Sequence, residues 1–88
     1  MIVGVAVKTD RKLWTLPRPY RHHNVLRMIF ASHEARNYET EQEGFVDSDG
    51  NFLTRIEAMQ VAINNGQLNR RPGSNNYQGP ELFSEDLW

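Results

Sequence analysis

The chain has 88 residues, no cysteine and a formal net charge of −1. So short a chain reads as one domain over residues 1–88; it buries only about 60–65% of its unfolded surface, and oligomerisation is one way to supply the stability that such a small core lacks. Without cysteine there is no disulfide framework and no thiolate metal site, which fits a cytoplasmic protein, and a charge near zero excludes a global basic field for nucleic acid or an anionic membrane.

The opening run, Met-Ile-Val-Gly-Val-Ala-Val-Lys, is too short for a membrane span and lacks the basic start of a signal peptide. Ile2 to Val7 instead predicts a β-strand, because Ile2, Val3, Val5 and Val7 are β-branched. Thr9-Asp10-Arg11-Lys12 forms a turn, and Leu13-Trp14-Thr15-Leu16 a second, antiparallel strand. Pro17 and Pro19 stop it, since proline donates nothing to a ladder. Arg21 to Ser32 predicts a helix whose core face is Val25, Leu26, Ile29 and Phe30. The charged stretch from Glu34 to Gln42 is a loop.

The next stretch, Glu43 to Gln67, carries the most consistent local signals. Asp49-Gly50 between Phe45-Val46 and Phe52-Leu53 predicts a tight hairpin, because such turns need φ > 0. Thr54 caps a second helix, and Glu57 three residues later completes a capping box. Ile56, Met59 and Ile63 make the expected core face, with Ala58 and Ala62 beside it; Gly66 is the stop. Leu68 to Pro80, with Arg70-Arg71-Pro72-Gly73, reads as a loop. Leu82, Phe83, Leu87 and Trp88 are too apolar for a free tail, so the tail docks on this chain or on a second subunit, with Ser84 capping a short helical turn. The fold class is therefore α+β: short N-terminal antiparallel strands, a helix, a β-hairpin and a second helix, with a docked C-terminal tail.

The charges are unevenly spread. Arg11, Lys12, Arg18, Arg21 and Arg27 crowd the first third, while Glu39, Glu41, Glu43, Asp47 and Asp49 cluster mid-chain. Arg21-His22-His23 opens the first helix and Arg55 the second. A cation there faces the positive end of the helix dipole. An anion bound at the same place would reverse that penalty, so two helix starts bearing arginine point to phosphate-bearing ligands. The alternative is that these arginines are solvated or pair with the acidic stretch.

No metal site is expected. Adjacent helical residues point about 100° apart, so His22 and His23 do not share one ion, and no Glu-x-x-His spacing is present. Asp47-Ser48-Asp49-Gly50-Asn51 has part of a calcium-loop pattern, but it runs straight into a helix cap and lacks the late bidentate Glu. There is no Walker loop, no Gly-x-Ser-x-Gly and no nucleophilic cysteine. Tyr20, Trp14, Phe45 and Trp88 are either base-stacking or core aromatics.

Three blocks together resemble a set of small phage proteins that includes the Thoeris anti-defence sponges. They are Arg21-His22-His23-Asn24-Val25, the stretch from Glu43-Gly44-Phe45-Val46 through Asn51-Phe52-Leu53-Thr54-Arg55-Ile56-Glu57-Ala58 to Gly66-Gln67, and Leu82-Phe83-Ser84-Glu85-Asp86-Leu87. The resemblance implies a homo-oligomer in the cytoplasm of an infected bacterium. It would sequester a cyclic nucleotide signal, such as glycocyclic ADP-ribose or a cyclic oligonucleotide, without cleaving it and without a cofactor. By that resemblance Arg21 and Arg55 meet phosphates; His22 and His23, next to Arg21, read from the residues alone as making either a ligand hydrogen bond or a structural one. Phe45, and after it Trp14, would stack on a base, and Asn51, Thr54 and Gln67 would hydrogen-bond ribose or base.

Two other classes compete with this reading. A protein-binding inhibitor of a defence complex, of the anti-CRISPR type, would use the acidic stretch and the apolar tail. A small phosphodiesterase would use His22 or His23 and would consume its ligand.

Overall fold

The computed structural model describes residues 1–34, 37–68 and 81–88. Its elements in chain order are β1 (Ile2–Lys8), β2 (Leu13–Pro17), α1 (His22–Ser32), β3 (Gln42–Asp47), β4 (Phe52–Thr54), α2 (Arg55–Asn64) and a 3-10 turn at Ser84–Asp86. The strands form one antiparallel sheet in the order β2-β1-β3-β4. The fold is thus the α+β arrangement expected from the sequence. The predicted loop between Leu68 and Pro80, with Arg70-Arg71, lies almost wholly outside the described residues.

Central β1 sets the core. Val5 pairs with Leu16 and Phe45, and Val7 with Trp14 and Glu43, so these side chains share one face. A bulge between Ile2 and Gly4 adds one residue to β1 and returns Ile2 to that face. The Gln67 side chain completes the strand end: its carbonyl accepts from the Ile2 N–H at 2.8 Å and its amide donates to the Ile2 carbonyl at 3.0 Å. On the opposite face Phe52 lies over Gly44, where an added Cβ would come 2.7 Å from the ring and 2.2 Å from the Leu53 carbonyl oxygen.

The hairpin between β3 and β4 turns through Asp47 to Gly50, with the Gly50 N–H bonded to the Asp47 carbonyl at 3.0 Å. Gly50 has φ 85, a left-handed conformation that glycine adopts without a Cβ clash. The Asp47 carboxylate accepts from the Asn51 and Asp49 N–H groups, which holds its pKa below the ordinary 3.8.

Helix α2 starts and stops as its sequence predicts. Thr54 Oγ1 accepts from the Glu57 N–H at 3.1 Å and Glu57 accepts from the Thr54 N–H at 2.9 Å. At the other end Gly66, φ 65, donates to Ile63, and Gln67 donates to Ala62, a Schellman closure.

The rotation of both helices departs from the predicted faces. In α2 the buried side is Ala58, Met59 and Ala62, while Ile56 and Ile63 are 56% and 52% exposed. The helix follows β4 with no linker, so the strand's exit direction sets its phase, and alanine allows close approach to the sheet. In α1 the buried side is His22, Val25 and Ile29; Leu26 is half-buried and Phe30 is 75% exposed. α1 covers β1 and β2, and α2 covers β3, β4 and part of β1.

The tail docks within its own chain. Leu82 is fully buried and Leu87 nearly so, both in the core cluster with Val25, Ile29 and Phe45. Ser84 does not cap the final turn. The Asp86 carboxylate does so, accepting from the Phe83 N–H at 2.9 Å, because Ser84 faces Arg21.

A cleft between the two helix starts

The sheet brings the starts of α1 and α2 to one end of the molecule, and the tail crosses between them. The result is a cleft of about 270 Å³ bordered by Arg21, His22, His23, Arg55, Glu43 and Ser84, with Leu26, Phe83 and Glu85 completing the wall. Two neighbouring hollows share Glu43 with it: one holds Thr54, Arg55, Ile56 and Glu81, the other Leu26, Tyr38 and Glu41.

Each arginine is fixed by the tail. Arg21 Nη1 donates to Ser84 Oγ at 3.1 Å, and Nη2 donates to the main-chain oxygen of Trp88. Arg55 Nη1 donates to the Leu82 carbonyl at 2.8 Å, and its guanidinium sits 4.7 Å from the centre of the Phe83 ring. The Arg55 carbonyl in turn accepts from the Leu82 N–H at 3.0 Å. Carboxylates complete both sets, Glu85 at 3.8 Å from Arg21 and Glu43 at 3.6 Å from Arg55. The pairing alternative is therefore met by Arg55, which pairs with Glu43 of the acidic stretch, while Arg21 pairs with Glu85 of the tail instead.

His22 forms the floor. It is buried at the first position of α1, and its Nε2 lies 2.6 Å from the Gly44 carbonyl oxygen. A carbonyl only accepts, so Nε2 carries the proton and Nδ1 the lone pair. The ring meets Phe45 edge-on at 5.2 Å. Burial first, and then the nearby Arg55 charge, lower the His22 pKa below its ordinary 6.5, against the raising effect of the Gly44 bond. His22 is neutral at pH 7. His23, next in the chain, is exposed.

Four of the predicted ligand residues thus meet in one cleft: Arg21, His22, His23 and Arg55. Thr54 borders the adjoining hollow, but its hydroxyl is engaged by the Glu57 N–H. Three line none of these hollows. Phe45 is fully buried, so it offers no face for a base; its register opposite Val5 on β1 turns it into the core. Asn51 bonds Asp47 in the hairpin turn, and Gln67 is committed to Ile2. Trp14 is half-buried on the core side of β2, with the Lys12 amine 3.9 Å from its ring. Sequence reasoning missed Glu43, Ser84 and Glu85 as cleft residues. The apolar tail signalled docking, yet nothing local says where it docks. Among the described residues no group of three or more His, Asp or Glu is placed to hold a metal, and no helix is long and apolar enough to cross a membrane.

The family model described as Phage T4 y16D protein matches residues 1–88, the whole chain. The chain belongs to that family. It is accordingly a small phage protein. No curated protein and no solved structure matches it.

Proposed function

We propose that this phage y16D-family protein binds a small phosphate-bearing nucleotide in the cleft and sequesters it without cleaving it. One observation carries the reading: Arg21 and Arg55, far apart in sequence, border the same cleft, each aimed there by a helix start and held by the tail. Arginine held in place loses little entropy on gaining a further hydrogen bond, and its fork suits phosphate oxygens. The resemblance to anti-defence sponges supports the finer form, in which the ligand is a cyclic nucleotide immune signal and the protein works as a homo-oligomer. Neutral, buried His22 is spent on Gly44, which supports binding over acid–base chemistry.

The test is calorimetry against glycocyclic ADP-ribose isomers, cyclic di- and trinucleotides, ADP-ribose and NAD. The expected result is saturable binding to one of them, weakened about tenfold by Arg21→Lys, since lysine cannot make a two-pronged contact, and weakened less by His23→Ala. The ligand recovered after denaturation has unchanged mass. Turnover of the ligand, or silence across the panel by folded protein, overturns the proposal.

A second reading has its own observation. Phe30, Ile56 and Ile63 are large apolar side chains left outside on the two helices, which suits a protein partner. Within the acidic stretch Glu39 and Asp49 are exposed to such an interface, whereas the apolar tail is not, because Leu82 and Leu87 lie in this chain's core. Co-elution with a purified defence complex, lost in Phe30→Asp, is the outcome that this reading requires.

A further inference from the structure

The contacts of Arg21 and Arg55 are of two kinds. The first kind comes from the tail: Ser84 Oγ and the main-chain oxygen of Trp88 for Arg21, the Leu82 carbonyl and the Phe83 ring for Arg55. These partners orient the guanidinium groups. The second kind is a carboxylate, and it is loose. Glu85 and Glu43 stand 3.8 and 3.6 Å away, beyond the roughly 2.7–2.9 Å of a charge-assisted hydrogen bond. Their side chains are 70% and 43% exposed, against 32% and 18% for Arg21 and Arg55. Glu85 also accepts from Ser84 Oγ at 3.4 Å. Each fixed cation is therefore covered by an anion that is more exposed than the cation and stands beyond hydrogen-bond distance, so an anion entering the cleft can take its place. Both carboxylates border the same cleft.

We infer that Glu43 and Glu85 are internal stand-ins for two anionic groups of the ligand, and that the cleft takes a molecule with two phosphoryl groups in preference to one. This inference rests on the reading of the cleft as a phosphate site. On binding, one phosphoryl group replaces Glu43 at Arg55 and the other replaces Glu85 at Arg21. The carboxylates swing into solvent, which their exposure permits. The tail stays in place, since Leu82 and Leu87 anchor it in the core. Two carboxylates facing the entering anion also set a threshold: a single phosphate displaces one and is repelled by the other.

The experiment is titration of the full chain with inorganic pyrophosphate, a nucleoside 3′,5′-bisphosphate and orthophosphate at constant ionic strength. The proteins are the wild type, Glu43→Gln, Glu85→Gln and the double variant, each checked for its fold by circular dichroism. Pyrophosphate reports adjacent phosphoryl groups and the bisphosphate separated ones. At least one of these two is expected to bind the wild type about tenfold more tightly than orthophosphate, each addition of a charge-assisted contact being of that order. Each glutamine variant binds that probe up to about fivefold more tightly than the wild type, the gain from removing one exposed pair, and the double variant more tightly than either. Equal binding of one and two phosphoryl groups, or glutamine variants that gain nothing, overturns the inference. If that happens while a nucleotide of the panel still binds and still depends on Arg21, the nucleotide-binding function stands without the stand-ins. No binding of any probe or nucleotide to any of the four folded proteins sinks both.

Discussion

At the start of α2 the cap is local and complete: Thr54 and Glu57, three residues apart, satisfy each other's backbone N–H groups. At the start of α1 it is half local. Asn24 Oδ1 accepts from the Arg21 N–H at 2.9 Å, but arginine has no acceptor to return the bond. The α1 start relies instead on distant groups, namely Ser84 and Trp88 against Arg21, and Gly44 against His22. A helix start closed by its own sequence tolerates changes elsewhere, whereas one closed by the tail and the sheet does not. The cleft joins one start of each kind, so its geometry depends on the less autonomous of the two.

The sharpest way to break this contrast is Leu82→Ala. It removes a fully buried side chain from the segment that holds both arginines, and we expect a loss of about 2–5 kcal/mol in urea unfolding. Hydrogen exchange should rise at the first turn of α1 more than at the Thr54 and Glu57 amides at the start of α2, which close on each other; equal change at both would remove the distinction. Next is Arg55→Ala, expected to cost about 2 kcal/mol, because it leaves the buried Leu82 carbonyl without its charged donor. Arg21→Ala, at a more exposed position, should cost about 1 kcal/mol.

The caps come after these. Thr54→Ala should cost about 1 kcal/mol, and Asn24→Ala less, since it closes only half a box. Paired denaturant midpoints would measure both, and an Asn24 effect above that of Thr54 would reverse the proposed order.

The last test is the pH dependence of His22. Its folded pKa lies below the unfolded value of 6.5, so the unfolded chain binds more protons between the two. Its contribution is fully present above pH 6.5 and is lost as pH falls through that window. Asp47 and Glu57, lowered from 3.8 and 4.5 by backbone hydrogen bonds, release theirs only at lower pH. Denaturation from pH 7.5 to about 5 should show the decline, and His22→Gln should flatten it; an unchanged slope would mean that His22 is not its source.

Much of the fold was legible from local chemistry. The strand of alternating valines, the Asp-Gly turn, the Thr54–Glu57 box and the Gly66 stop each involve hydrogen bonds or φ preferences that span about five residues. Such features are decided before any long-range contact forms. The candidate site was half legible: arginine at two helix starts is visible in the chain, but Phe45 as a stacking ring and Gln67 as a ligand contact were misplaced. Phe45 alternates into the core because of its register opposite Val5, and Gln67 is drawn to the unpaired end of β1.

By itself, then, the sequence determined which segments are strands and helices, where the second helix is capped and closed, and that an apolar tail would be buried. The tertiary structure alone decided the rotation of each helix, the burial of alanine in place of Ile56 and Ile63, and the position of the tail across both helix starts. The physical reason is reach. Caps and turns are satisfied within a few residues, whereas helix phase and the meeting of Arg21, Arg55, Glu43 and Glu85 follow from close packing between segments distant in the chain.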